Sequence, residues 1–239
     1  MTENLSNESV FREIEANYCI IQQNLEHAAM QAGVSRESIR FMAVTKTVPP
    51  VFINHALQLG IDLIGENKVQ ELLEKKEFLN GAYDAHLIGH LQTNKVKKII
   101  KEVTMIQSVD SVKLACEISK QAKNADVVMP VLLELNIGEE ESKTGFLPQS
   151  FAENALEIAE MDAIRVCGVM AVPPICDTQA EIRMWFEKVR KQYDKLKDYA
   201  KLKEINILSM GMSSDYEQAV LEGANLVRIG SALFGHRRY

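Results

Sequence analysis

The sequence predicts an α/β protein built as a single (β/α)8 TIM barrel, and three observations support this fold class. Short apolar segments of strand length alternate with helical segments eight times in 239 residues, a usual size for this barrel. Small and polar residues follow the predicted strands at their carboxyl ends, where such barrels carry their functional sites. No GxGxxG motif follows the first strand, which disfavours the alternative of an open doubly wound sheet.

The individual elements follow from the spacing of the apolar residues. An extra N-terminal helix is predicted over 8–32, and the first strand ends near Lys46 because two prolines follow at 49 and 50. Later strands are predicted over 62–65, 85–90, 105–108, 128–136, 165–172, 205–210 and 225–229. Helices are predicted over 51–59, 66–77, 92–101, 111–123, 148–161, 178–203 and 214–222. No linker divides 1–239, so one domain is expected.

The composition excludes several classes of function. A formal net charge of −6 disfavours binding to nucleic acid or to an anionic membrane, since both need a basic surface. The most apolar window, 127–137, is too short to cross a bilayer, and residues 1–9 lack a secretory signal. The four cysteines form no CxxC pair and are typical of reduced thiols. We therefore expect a cytoplasmic protein with no metal site and no nucleic-acid or membrane partner.

Lys46 is the first candidate functional residue, because it stands at the carboxyl end of a buried strand. Burying an ammonium group is costly unless the group is paired or neutralised. Desolvation lowers the pKa of an amine, which is what an amine needs to attack an aldehyde. A lysine that only extends into solvent is the alternative, and this segment alone leaves both open.

A phosphate site is predicted where the seventh and eighth strands end. The residues from Ser214 to Glu217 have the spacing of a capping box, which predicts a helix that begins at Ser214 with free N–H groups over the barrel mouth. Gly230 and Ser231 follow the eighth strand, and these two loops are the habitual phosphate site of the fold. Alternatively, Ser214 only caps its helix. A phosphate site opposite a strand-end lysine suggests a phosphorylated aldehyde such as pyridoxal 5'-phosphate (PLP).

Seven segments in fixed order carry a more specific signal. They are AVTK at 43–46, GENKVQE at 65–71, HLIGHLQTNK at 86–95, SKTG at 142–145, GVMAVP at 168–173, LSMGMSSD at 208–215 and VRIGSALFG at 227–235. Together they resemble the YggS/PROSC family of pyridoxal-phosphate homeostasis proteins. The resemblance covers nearly the whole chain after the first helix.

The resemblance implies a barrel like the N-terminal domain of alanine racemase, of PLP fold type III. It implies that PLP is held as a Schiff base on Lys46, that Arg228 faces the pyridine nitrogen, and that Asn67 lies near the ring. The residues that it implies for the phosphate are Ser213, Ser214, Gly230 and Ser231.

The resemblance also implies a PLP-binding protein of intracellular PLP homeostasis, which supplies or buffers PLP for apo PLP-dependent enzymes. It implies no established catalytic activity, so no catalytic residue is assigned, and a monomer is favoured over a dimer. The chain ends at Tyr239, just past the eighth strand, so we expect no second domain to supply the opposite base of alanine racemase. A charged Arg228 would keep the pyridine nitrogen unprotonated and weaken the ring as an electron sink.

Two other functions stay open. One is a PLP-dependent amino-acid racemase, or a similar carbanion enzyme, that uses the same Schiff base. The other is a barrel that binds a phosphorylated sugar without covalent chemistry.

Further polar residues are interpreted as structural. His86 and His90 are predicted to form a packed pair on the third strand, since their spacing fits no metal motif. Four lysines between 95 and 101 are predicted to form a solvated helix face. Lys143 lies in an acidic loop over 138–145 that resembles a mobile lid. We hypothesise that Lys143 is a second amine for transferring the aldehyde.

Overall fold

The structure is a computed structural model that describes residues 2–203 and 205–235. Eight parallel strands in this part of the chain pair in sequence order and close into one barrel, in which β1 joins β8. The strands are β1 (Arg40–Val44), β2 (Leu63–Glu66), β3 (Asp84–Leu87), β4 (Met105–Val109), β5 (Met129–Leu135), β6 (Ile164–Ala171), β7 (Ile207–Ser209) and β8 (Leu226–Ile229). The predicted (β/α)8 barrel is confirmed.

Helices alternate with the strands. The first helix, α1 (Thr2–Ala32), precedes β1, and the side-chain amide of Asn17 in it donates a hydrogen bond to the Leu233 carbonyl near the end of the barrel. The others are α2 (Pro50–Gln58), α3 (Val69–Lys75), α4 (Val96–Ile99), α5 (Val112–Asn124), α6 (Phe151–Ala159), α7 (Gln179–Leu196), α8 (Tyr216–Leu221) and α9 (Ser231–Phe234). The predicted N-terminal helix is confirmed. Within the described ranges, no helix is both long enough and apolar enough to cross a membrane.

Some element ends differ from the prediction for local reasons. The strand predicted over 85–90 ends at Leu87, because Gly89 turns against the backbone of Asn67. The helix predicted over 92–101 is a 3-10 turn followed by the four residues of α4. Helix α7 begins close to its predicted start with a capping box, in which the Glu181 N–H donates to Thr178 Oγ1 at 3.2 Å.

The prediction that a helix begins at Ser214 is wrong. Helix α8 begins at Tyr216, and the Ser214 hydroxyl donates a hydrogen bond to Asp215 Oδ2 at 3.1 Å. The other carboxylate oxygen of Asp215 accepts the Met212 N–H at 2.7 Å. Because Asp215 folds back onto the residues before it, the capping box does not form.

The barrel interior changes from apolar to polar along the strands. Buried Met105 and Leu226 and partly buried Ile207 belong to small apolar clusters inside the barrel. Two residues further along β4, β7 and β8, the interior positions are Gln107, Ser209 and Arg228. The polar layer therefore lies nearer the carboxyl ends of the strands, where the sequence predicts a binding site.

Candidate functional site

A cavity of about 520 Å³ opens at the carboxyl ends of the strands. Its volume is typical of small-molecule sites, which span roughly 300–1,000 Å³. The structure brings all seven residues predicted from the sequence into its lining: Lys46, Asn67, Ser213, Ser214, Arg228, Gly230 and Ser231. Other lining residues, which sequence reasoning did not assign to the site, are mainly apolar and include Ile88, Met170, Val172, Met212 and Phe234.

Lys46 lies two residues after the end of β1 at Val44, and its side chain forms part of the cavity wall. The residue is half-buried. Its ammonium group has no hydrogen bond or ion pair with any residue that the structure describes. The amine is therefore free to meet a ligand in the cavity.

The backbone on both sides of Lys46 is held by a network outside the strand. Thr45 Oγ1 donates to Glu66 Oε1 at 2.7 Å, and Lys75 Nζ donates to the Thr45 carbonyl at 2.7 Å. The N–H of Thr47 donates to Glu71 Oε1. Thr47 has a φ of 63°, a left-handed conformation that a β-branched residue adopts only when its surroundings impose it. The network therefore fixes where the Lys46 side chain leaves the strand.

Glu66 and Lys75 form the buried centre of this network. Lys75 Nζ lies 2.9 Å from Glu66 Oε1 and 2.6 Å from Glu71 Oε1. Burial raises the pKa of Glu66, although the hydrogen bonds and charge of Lys75 act against that rise. Sequence reasoning missed this network. The spacing of Glu71 and Lys75, four residues apart on a helix, was the available signal.

Asn67 follows β2 at the edge of the cavity, and Gly89 holds its backbone in place. A Cβ at position 89 would overlap the carbonyl oxygen of Asn67, so this close approach requires a glycine. The neighbouring Ile88 N–H donates to the Glu66 carbonyl at 2.9 Å. These contacts fix where Asn67 lies relative to the cavity.

Ser213 ties together the loops that follow β7 and β8. Its hydroxyl oxygen accepts hydrogen bonds from the N–H groups of Gly230 and Ala232, both at 3.1 Å. Because both of these bonds use its oxygen, the Ser213 hydroxyl proton is left to donate. The N–H groups of Ser214 and Ser231 have no acceptor among the described residues. Several donors therefore converge here, as an anion requires.

Arg228 is the charged group of the cavity floor, and it is 4% exposed. Its Nη1 donates to Ser209 Oγ at 2.6 Å and its Nη2 donates to the Ala171 carbonyl at 2.9 Å. Burial lowers the pKa of Arg228 to about 10, while Asp215 and Glu134 act to raise it. The guanidinium therefore stays charged at neutral pH and keeps donors for a ligand.

The loop after β5 is held by Asn136, whose side-chain amide donates to the carbonyls of Glu140 at 2.9 Å and Lys143 at 3.2 Å. Lys143 Nζ pairs with Glu140 Oε1 at 2.6 Å and donates to the Pro173 carbonyl at 3.2 Å. Lys143 is not among the residues that line the cavity. Its transfer of an aldehyde remains a hypothesis.

The prediction that His86 and His90 form a packed pair is wrong. His86 is buried in the barrel, whereas the His90 side chain is 55% exposed and lies 2.9 Å from Asp110 Oδ2. The two separate because β3 ends between them, at Leu87. No group of three potential metal ligands occurs in the described part of the chain.

Comparisons with known proteins agree with this geometry. Residues 17–238 match the family model described as the alanine racemase N-terminal domain. The chain is 39% identical over 224 residues to the pyridoxal phosphate homeostasis protein of Aquifex aeolicus, covering 92% of this chain and 96% of that protein. That relative is named as a homeostasis protein and not as an enzyme.

Solved structures are similar over most of the chain. PipY of Synechococcus elongatus, with PLP bound, has a TM-score of 0.78 and 30% identity and covers 89% of this chain and 100% of PipY. An alanine racemase of Clostridium difficile has a TM-score of 0.70 at 18% identity, covering 95% of this chain and 58% of the racemase, which shows the shared barrel fold. The chain therefore belongs to the pyridoxal phosphate homeostasis protein family, the family that its sequence motifs resemble.

Proposed function

We propose that this protein binds PLP as a Schiff base on Lys46 and takes part in intracellular PLP homeostasis. The observation that carries the proposal is that one cavity contains an unpaired, half-buried lysine, a group of serine and backbone donors, and a buried arginine. The name of the Aquifex relative and the PLP bound to PipY support the same cofactor.

The polar groups of the cavity match the polar parts of PLP. Lys46 Nζ supplies the amine that adds to the aldehyde carbon, and the carbonyl oxygen leaves as water when the C=N bond forms. Ser213, Ser214 and Ser231 supply donors to the phosphate, and Gly230 lets the backbone approach it without a side chain. The remaining polar lining groups are Arg228, which we assign to the pyridine nitrogen, and Asn67, which we assign to the side of the ring.

The titratable groups in the cavity lining favour a PLP carrier over a racemase. Among the described residues in its lining, the titratable side chains are those of Lys46 and Arg228. Two-sided proton exchange at an α-carbon needs a second base, worth roughly 100- to 10,000-fold in rate. Arg228 stays protonated at neutral pH and therefore cannot accept the proton of an α-carbon. The described lining therefore offers no second base opposite Lys46 to complete a racemase turnover.

The absorption spectrum of the purified protein tests the cofactor assignment. We expect a yellow protein whose visible band is bleached by borohydride, and a Lys46→Ala variant without that band. Protein that stays colourless after incubation with PLP would contradict the proposal and favour a barrel for phosphorylated sugars. Turnover of an amino acid that disappears in Lys46→Ala would favour the racemase.

Supply to other proteins is the second part of the proposal. We propose a single-domain, cytoplasmic monomer over residues 1–239 that gives PLP to apo PLP-dependent enzymes. Loaded protein is mixed with an apo-enzyme, and the recovered activity is compared with that given by the same concentration of free PLP in the presence of a PLP trap. We expect loaded protein to restore more activity than free PLP, because the trap captures only PLP that is released into solution. Recovery no greater than that given by free PLP would contradict direct supply.

A further inference from the structure

A row of four buried polar side chains crosses the barrel interior from Arg228 to His86. Arg228 Nη1 donates to Ser209 Oγ at 2.6 Å, and Ser209 Oγ donates to Gln107 Oε1 at 2.7 Å. Gln107 Nε2 lies 2.9 Å from His86 Nδ1. These residues come from β8, β7, β4 and β3, and none is more than 4% exposed. The row therefore forms away from water, directly beneath the cavity.

The hydrogen bonds of the row can all form in only one direction, with each residue donating to the next from Arg228 towards His86. The Ser209 oxygen accepts from Arg228, so its proton must go to Gln107 Oε1. Gln107 then donates from Nε2 to His86 Nδ1, which must carry a lone pair. Burial lowers the pKa of His86 to about 4, which keeps the ring neutral and able to accept. Turning the Gln107 amide would leave the Ser209 proton without an acceptor in the row.

The row holds a charged guanidinium by neutral groups alone. The partners of Arg228 are a hydroxyl and a backbone carbonyl, and no carboxylate among the described residues lies within ion-pair distance. Asp215 and Glu134 act on Arg228 only at longer range. A carboxylate at the position of Gln107 would have the same size and would partly neutralise the positive charge. The amide thus fixes the guanidinium without weakening its field in the cavity.

We propose that Ser209 and Gln107 are positioning residues that hold Arg228 without a counter-ion, so that the ring nitrogen of bound PLP stays unprotonated. The proposal rests on the proposed function, which places PLP in this cavity. A positive charge beside a ring nitrogen disfavours its protonation, and a nearby carboxylate reverses that preference. Glutamine in place of glutamate at 107 thereby limits the ring as an electron sink.

Nitrogen-15 NMR of protein loaded with PLP labelled at the ring nitrogen tests this directly. The shift of the unaltered protein should be that of an unprotonated pyridine from pH 6 to pH 9. In Gln107→Glu, we expect the ratio of protonated to unprotonated ring to rise by about tenfold or more at a fixed pH. Gln23→Glu adds the same charge on an exposed face of α1 and should leave the shift unchanged.

A ring nitrogen that is equally unprotonated in folded Gln107→Glu and in the unaltered protein would overturn the proposal. If Gln107→Glu does not fold, the PLP affinities of two Ser209 variants test the positioning role. Ser209→Ala removes the acceptor of Arg228 Nη1 and should weaken PLP binding about tenfold. Ser209→Thr keeps the hydroxyl and should restore affinity to within about threefold. Equal affinity of Ser209→Ala and the unaltered protein would reject the positioning role. An unaltered protein that binds no labelled PLP would instead contradict the proposed function.

Discussion

Lys75 Nζ lies 2.9 Å from the buried carboxylate of Glu66, and the same ammonium donates to the carbonyl of Thr45, the residue before Lys46. The ion pair therefore acts on the backbone that presents the candidate nucleophile. A buried ion pair of this kind contributes little net stability compared with an apolar pair. Removing one partner, however, leaves the other charge buried and unpaired. Its arrangement explains how Lys46 can be held precisely while its own amine stays unpaired.

Lys75→Met should destabilise the protein by about 3 kcal/mol, because Glu66 is left charged and buried without its partner. Urea unfolding monitored by circular dichroism measures this change. The matched control is Lys123→Met, which removes a lysine from an exposed pair with Asp162 and should change stability by less than about 1 kcal/mol. Equal effects of the two substitutions would contradict a buried role for Lys75.

His86 predicts a specific pH dependence of stability. Its pKa in the folded protein is about 4, against 6.5 for an unperturbed histidine, so the unfolded chain binds the proton first as the pH falls. The free energy of unfolding should therefore lose about 2 kcal/mol from this group between pH 7 and pH 4.5.

A His86→Gln variant isolates this contribution, since glutamine can accept the same hydrogen bond from Gln107 without titrating. Burial raises the pKa of Glu66 and Glu134, and their contribution to stability increases as the pH falls, opposite in sign to that of His86. Subtracting the free energy of unfolding of His86→Gln from that of the unaltered protein at each pH removes the contributions of Glu66 and Glu134, which both proteins share. We expect the unaltered protein to lose more stability than His86→Gln on acidification, and parallel curves would exclude His86 as the source.

We expect Ser213 to contribute more to the binding of the PLP phosphate than to the binding of the pyridine ring. Ser213→Ala removes the hydroxyl that holds the N–H groups of Gly230 and Ala232, so we expect PLP affinity to fall about tenfold or more. Pyridoxal, which lacks the phosphate, should lose much less. Fluorescence titration of both ligands measures the two effects, with Ser119→Ala on α5 as the control. An equal loss for both ligands would place the phosphate elsewhere.

The barrel was predictable from sequence because each strand is short, apolar and followed by polar or small residues. Lys46 could be found because a charged residue at the end of a buried strand is unusual, whereas the assignment of Arg228 came from the family resemblance. The start of α8 could not be found, because the Ser214 spacing fits a capping box, yet Asp215 bonds to Met212 and Ser214 before the helix begins. Sequence-local rules do not show which of two short-range partners a side chain selects.

The network around Lys46 and the row beneath Arg228 were not predictable for a different reason. Gln107 and Ser209 are 102 residues apart in the sequence, and only closure of the barrel brings them together. Gln107 follows the apolar Met105 and Ile106 in β4, where a polar residue can be either exposed or buried with a partner. Glu66, at the end of β2, could likewise be either exposed or buried with a partner. In both cases, the partner is fixed by strand register, which a single sequence does not reveal.

The mass of the borohydride-reduced protein shows whether Lys46 holds PLP covalently. After incubation with PLP and reduction, we expect one added pyridoxyl phosphate group per chain, located by peptide mapping on Lys46, and no stoichiometric adduct in Lys46→Ala. A stoichiometric adduct on another lysine, or the same added mass in Lys46→Ala, would contradict a Schiff base on Lys46.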